Sequence, residues 1–114
     1  MSLAIGDIVW VAYPYVETNR MRSRPAVIVA VGLGEAANLC WASMITNAAR
    51  PAWPGDVVIT DHEAAGLPIP SKVRTGKIAT LAVSRANVIG HMPGPEMTHI
   101  AARLSEALAW IATP

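Results

Sequence analysis

Apolar and polar positions along this chain fall into short alternating runs broken by proline, glycine and charge, and only the last run has helical spacing. Residues 7–13 set Ile8, Trp10 and Ala12 against Val9, Val11 and Tyr13, apolar on both faces, as in a strand covered from both sides. Pro14 is expected to stop that run, because it has no N–H to give to a ladder. A polar loop carrying arginines follows, and the Arg24-Pro25 pair opens a second apolar strand that runs to Val31. Residues 32–37 predict a turn and 38–45 a third strand, although the alanines within 35–44 also carry helical propensity. Two prolines, a glycine and Trp53 make 50–55 a loop, and the Val/Ile-rich 56–60 reads as a short strand. Asp61 and Gly66 bracket a single helical turn. A two-proline link, 67–70, leads to further strands at 71–80 and 86–92, separated by a turn at Ser84-Arg85. Pro95 suits the first position of a helix, and Glu96 complements its dipole. Met97, Ile100, Leu104, Leu108 and Ile111 then form one apolar stripe. Many short strands with one terminal helix predict a mainly β chain (β-rich α+β): a small, strongly curved barrel or sandwich with a C-terminal α-helix, in one domain over 1–114. Trp10 and Trp41, inside strands, are expected in its core.

That pattern places some chemistry. Arg20, Arg22 and Arg24 recur every second residue, so an extended backbone aims all three the same way. Pro25 biases Arg24 itself toward an extended conformation. An antiparallel hairpin centred near Glu35 would set Arg24 opposite Thr46, so that a guanidinium and a hydroxyl face one small space at a shared sheet edge. Fixed cations at a strand mouth suit phosphate better than they suit core packing. On residue type alone, Arg24 is as readily a strand-end cap or a partner of Asp7, and Thr46 a turn residue.

Composition narrows the classes. With 53% apolar and 15% charged residues the chain is excluded from disorder, and more apolar surface is expected than one copy can bury. A homodimer is therefore expected. The net charge of +1 supplies no global attraction to nucleic acid, so a basic site must come from local clustering. Cys40 is the single cysteine, which excludes an intrachain disulfide and a cysteine metal cluster. His62, His91 and His99 fit no metal spacing, and no metal or cofactor is expected. Without a signal-like N-terminus or a run of spanning length, a cytoplasmic chain with no membrane association is expected. The stretch from Gly32 to Ala37 loosely matches G-x-G-x-x-A, but no acidic residue follows at the ribose position. Asp61-His62-Glu63 is best read as a solvated cap, since sequence neighbours point apart.

Gly6-Asp7-Ile8-Val9-Trp10, then Arg24-Pro25-Ala26-Val27-Ile28-Val29, then Thr46 after a strand, resemble the MazF/PemK toxins of type II toxin–antitoxin systems. The downstream Glu63-Ala64-Ala65-Gly66-Leu67, Pro70-Ser71 and Val73-Arg74 are similar to the PemK-like branch. The resemblance spans nearly the whole chain, and it implies an SH3-like barrel, a homodimer, and a metal-independent endoribonuclease that cuts single-stranded RNA such as mRNA and inhibits growth. It further implies an antitoxin partner, with DNA reached only through the antitoxin complex, and a role such as plasmid maintenance. In that chemistry the substrate's 2′-hydroxyl attacks the adjacent phosphate, leaving a cyclic phosphate and a 5′-hydroxyl.

The family's Arg-Pro arginine falls on Arg24, its strand-end threonine on Thr46, and an arginine given a catalytic role in some members on Arg74. Arg20, Arg22, Arg50, Trp53 and Glu17 are the expected RNA-binding residues. Arg50 divides evenly between RNA contact and a solvated loop charge, and Trp53 between base stacking and an interface anchor. The chain departs from the family pattern at Gly76, where those members place an Asp, and at Thr18 and Asn19, where they carry His-Glu or Ser-Glu. Glu17 lies one or two residues off that register. Two alternatives remain open: a protein-binding toxin of the gyrase-poison type, acting through the Trp110/Ile111 end of the helix, and an inactive homologue that still binds an antitoxin.

Overall fold

The computed structural model describes residues 3–15 and 20–109, with side chains other than those of 13–15 and 20–22. Its elements are β1 (Asp7–Tyr15), β2 (Arg20–Leu33), β3 (Leu39–Asn47), β4 (Asp56–Val58), β5 (Ser71–Ala82), a 3-10 turn (Val83–Arg85), β6 (Asn87–His91) and α1 (Gly94–Ala107). The strands form one antiparallel sheet in the order β4-β5-β3-β2-β1-β6. The outer strands β4 and β6 do not pair with each other, so the expected curved barrel is an open one.

Alternation along the strands builds a core on each face. Ile8, Val27, Ile45, Val57 and Val73 point to one side, where Ile59, Leu67, Met92 and Ile100 close over them. Val9, Val11, Ala26, Ile28, Cys40, Ala42 and Met44 pack on the other with Ala79 and Leu81. The apolar stripe of α1 seats Ile100, fully buried, with Met97 and Leu104 half-buried beside it. Burying a side chain of that size contributes about 1.5–3 kcal/mol. Leu108 is exposed, and Ile111 and Trp110 lie outside the described residues. The helix starts one residue ahead of expectation, at Gly94, and Pro95 sits in its first turn. Cys40 is buried, which pushes its thiol up from its ordinary value, and its sulfur lies 3.5 Å from the Leu81 carbonyl oxygen.

Two proline expectations are corrected. Pro14 does not end β1, which continues to Tyr15, and Pro25 lies inside β2 rather than at its start. The cause is the same in both places: each proline stands where one neighbouring ladder has already stopped. Pairing of β1 with β6 ends at Trp10↔Asn87, and pairing of β2 with β3 ends at Ala26↔Met44. A missing N–H costs a strand nothing on a side with no partner. The alanine-rich 35–44 resolves as turn and strand, with Gly34 and Ala37 both at positive φ in the turn. Asp61 caps the following turn through the Ala64 N–H at 3.1 Å, and Gly66 closes it at φ +85°.

Candidate functional site

The site grows from strand register. Pairing of β2 with β3 stops at Ala26↔Met44, and Arg24 and Thr46 lie two residues past that pair on their strands. On the far side of β3, Thr46 pairs with Lys72, and on the far side of β5, Arg74 pairs with Asp56. Directly opposed residues share a face, and 72 and 74 share one by alternation. Thr46, Lys72, Arg74 and Asp56 thus line up along one face. Between Ser43↔Ile78 and Ile45↔Val73, β5 carries four residues, 74–77, against Met44 alone. That bulge turns the strand and brings Arg74 beneath the 50–55 loop. Gly76 lies on it, exposed and with open space around its Cα, so no carboxylate there faces Arg74.

A cleft of about 440 Å³ opens at this end, within the size range of small-ligand sites. Arg24, Thr46, Arg50, Trp53 and Arg74 all line it, so five of the eight expected site residues come together. Arg24 and Thr46 are half-buried, Arg50 is exposed, and Trp53 keeps 42% of its surface open. Arg20 and Arg22 belong to the same strand as Arg24 and pair through the backbone with Tyr15 and Tyr13. Glu17, Thr18 and Asn19 lie outside the described residues.

Arg74 is nearly enclosed. Its guanidinium lies 4.2 Å from the centroid of the Trp53 ring, donates to the Pro51 carbonyl at 2.8 Å, and stands 3.7 Å from Asp56 Oδ2. Lys72 Nζ donates to the Arg50 carbonyl at 2.6 Å and sits 3.3 Å from the same carboxylate oxygen. Thr75 Oγ1 donates to the Gly55 carbonyl at 2.7 Å. The loop that presents Arg50 and Trp53 is therefore tied down by side chains of β5, not by a ladder of its own. Lys77 adds a second cation 5.8 Å from the Trp53 ring.

Trp10 and Trp41 are not core residues, being 43% and 41% exposed. Trp10 lines the cleft beside Arg24 and Pro25. Its strand neighbours Val9 and Val11 are buried, so alternation alone cannot separate it from Ile8. The usable signal was size: a large indole at a strand position where the sheet narrows is seldom fully covered. Asp56 and Lys72 were also missed, because their contacts depend on β4–β5 register that no local pattern encodes. Asp7, offered as a partner for Arg24, has its carboxylate on the Ala4 N–H at 2.9 Å and on His91 Nδ1 at 3.2 Å. Among the described residues, no three His, Cys, Asp or Glu side chains gather as metal ligands would.

Known proteins share this sequence pattern and fold. A family model described as "PemK-like, MazF-like toxin of type II toxin-antitoxin system" matches residues 4–108. MazF from Deinococcus radiodurans (Form-I crystal structure) superposes with a TM-score of 0.72 at 20% identity, covering 96% of this chain and 98% of that one. A MazE–MazF structure from the same organism (Form-II) gives a TM-score of 0.67 at 20% identity over 95% and 96% of the two chains. An endoribonuclease from mycobacterial species gives 0.63 at 20% identity, over 96% of this chain and 94% of that one. At such identities the structural likeness is one of fold. No curated protein matches the chain.

Proposed function

The chain belongs to the PemK-like, MazF-like toxins of type II toxin–antitoxin systems, and we propose that it is an endoribonuclease cutting single-stranded RNA, mRNA included, without metal or cofactor. The observation that carries this reading is the convergence of Arg24, Thr46, Arg50, Trp53 and Arg74 on one cleft. Cleavage forms a bond from the 2′-oxygen to phosphorus with release of the 2′-hydroxyl proton, and breaks the bond to the 5′-oxygen, which takes up a proton to leave as a 5′-hydroxyl, through a transition state that gathers negative charge on the phosphoryl oxygens. Arg24 holds two of those oxygens in a fork, where a cation contributes most as charge develops. A guanidinium has five donors and no acceptor, so Arg24 supplies charge and orientation, not a base. Thr46, across the hairpin from it, holds a phosphate oxygen or the attacking hydroxyl. Arg74 adds charge from the cleft wall. Trp53, and with it Trp10, offers ring faces for the flanking bases, and Arg50, Arg20 and Arg22 track the backbone.

An antitoxin is the second partner in this reading, lying over the same arginines, since an acidic and initially disordered peptide is drawn to clustered positive charge. Two of the similar folds, a MazE–MazF structure and a mycobacterial endoribonuclease in complex with its cognate antitoxin, support that partner. The toxin acts in the cytoplasm as a homodimer, and reaches DNA only through the antitoxin complex. The gyrase-poison alternative gains nothing from this cleft, because its working end is the helix and not Arg24. Controlled expression in bacteria tests the choice: the wild-type chain is expected to arrest growth with loss of intact mRNA. Growth arrest with mRNA intact and supercoiling disturbed would favour the protein-binding alternative.

A further inference from the structure

Asp56 is the one carboxylate among the described residues that faces both Lys72 and Arg74, and it is nearly as buried as they are: the three side chains are 9%, 5% and 6% exposed. Its Oδ2 does all the visible work. It accepts the Trp53 N–H at 3.0 Å and lies 3.3 Å from Lys72 Nζ and 3.7 Å from Arg74 Nη1. Two cations packed side by side on β5 repel each other, and burial strengthens that repulsion. Asp56 supplies the charge that lets both stay there. In return Lys72 and Arg74 each reach a carbonyl of the loop, at Arg50 and Pro51.

The bonding is incomplete in an informative way. Asp56 Oδ1 and Arg74 Nη1 are both buried without a hydrogen-bond partner, and the 3.7 Å between Nη1 and Oδ2 is too long for one. The buried Nη1 therefore faces Asp56 at ion-pair range, and the carboxylate acts on it by charge and not through a hydrogen bond, which accounts for the orphaned donor. Asp56 itself does not line the cleft; it borders a separate cavity of about 680 Å³ on the other side of the loop. It can therefore affect bound RNA only through Arg74 and the loop.

We propose that Asp56 is a positioning residue of the RNA site, holding the Arg74 guanidinium and the Trp53 loop in place at the cleft wall. This rests on the cleavage reading above. Asp56→Asn keeps the size and an acceptor for the Trp53 N–H but removes the charge. Its Arg74 side-chain Nε–H resonance, assigned by its disappearance in Arg74→Lys, is expected to shift or broaden while the backbone spectrum is retained. For cleavage of a single-stranded RNA, kcat is expected to fall by up to about a hundredfold, as for a misplaced catalytic group, with KM changed less than kcat. The double variant Asp56→Asn/Arg74→Lys is expected to be no slower than Arg74→Lys alone, because both changes remove one function.

Multiplying effects in the double variant, or an unmoved Arg74 resonance, would overturn the proposal while leaving the cleavage reading intact. Should Asp56→Asn not fold, Asp56→Glu decides the same point: a displaced charge moves the Arg74 signal and lowers kcat if Asp56 positions Arg74, and leaves both alone if it does not. A wild-type chain that cuts no RNA refutes the cleavage reading by itself. The same cycle is then read from the Arg74 resonance and from binding of a fluorescent single-stranded 2′-deoxy oligonucleotide.

Discussion

Arg24 lies just past the last β2–β3 pair, Ala26↔Met44, where Pro25 favours an extended backbone, and it lines the cleft together with Thr46. Truncating it to Ala is expected to lower RNA cleavage by about a hundred- to a thousandfold, the range for loss of one donor to a developing oxyanion, with the thermal transition unchanged. Arg24→Lys should recover little, since an ammonium cannot reproduce a two-point fork. Thr46→Ala should be milder; a change confined to the unfolding curve would return Thr46 to a structural role. Trp53→Ala, with its ring already braced by Arg74 at 4.2 Å, should weaken binding of a non-cleavable oligonucleotide by roughly 1–3 kcal/mol per stacked base, measured by anisotropy. That Arg24 and Thr46 share one edge was legible from the strand-turn-strand pattern, whereas Arg74 on β5 was singled out only by the resemblance to the toxin family. Asp56 and Lys72 were not, because a two-cation, one-carboxylate cluster arises from pairing between segments that carry no periodic signature of each other. Trp10 was misplaced since an apolar residue in an alternating strand looks the same at a covered position and at the rim of a cleft.

Element boundaries follow from which ladders are present on each side. Both prolines that looked like strand breaks were accommodated where a neighbour had run out, and that information lies in the sheet order, not in the local sequence. Turn chemistry was more transparent: Asp61 and Gly66 mark the turn at both ends. That turn packs backbone to backbone on β6, where a Cβ at Gly90 would run into the Ala65 carbonyl. Gly90→Ala is therefore expected to destabilise the chain by about 1–3 kcal/mol in urea unfolding, as overpacking does. On the opposite side of the same core, Ile100→Ala should cost about 2–5 kcal/mol, because α1 is anchored chiefly by that fully buried residue. Neither change touches the cleft, so cleavage per folded molecule should be retained.

For the whole molecule, the exposed apolar side chains set the expectation of a partner. Ile5, Trp41, Val58, Ile69, Ile78, Val88, Ile89 and Leu108 are all at least 39% exposed on a single copy. Light scattering at micromolar concentration is expected to give twice the 12.1 kDa chain mass, and the monomer mass would contradict the dimer. The mainly β class, the terminal helix and the curved sheet were readable from run lengths alone, whereas the open ends of that sheet were not, because closure depends on whether β4 and β6 meet. With a net charge of only +1, any attraction to RNA or to an acidic antitoxin has to come from local clusters of cations. Reversing Arg20 and Arg22 together should weaken both RNA and antitoxin binding and flatten the salt dependence of each; antitoxin affinity unchanged beside weakened RNA binding would place the inhibitor on another face. The most direct test of the account is end-mapping of a long single-stranded RNA incubated with the purified chain in excess EDTA. It predicts discrete cuts that leave 5′-hydroxyl ends and are absent with Arg24→Ala, whereas cleavage that vanishes with chelator and returns with magnesium, or no cleavage at all, would contradict it.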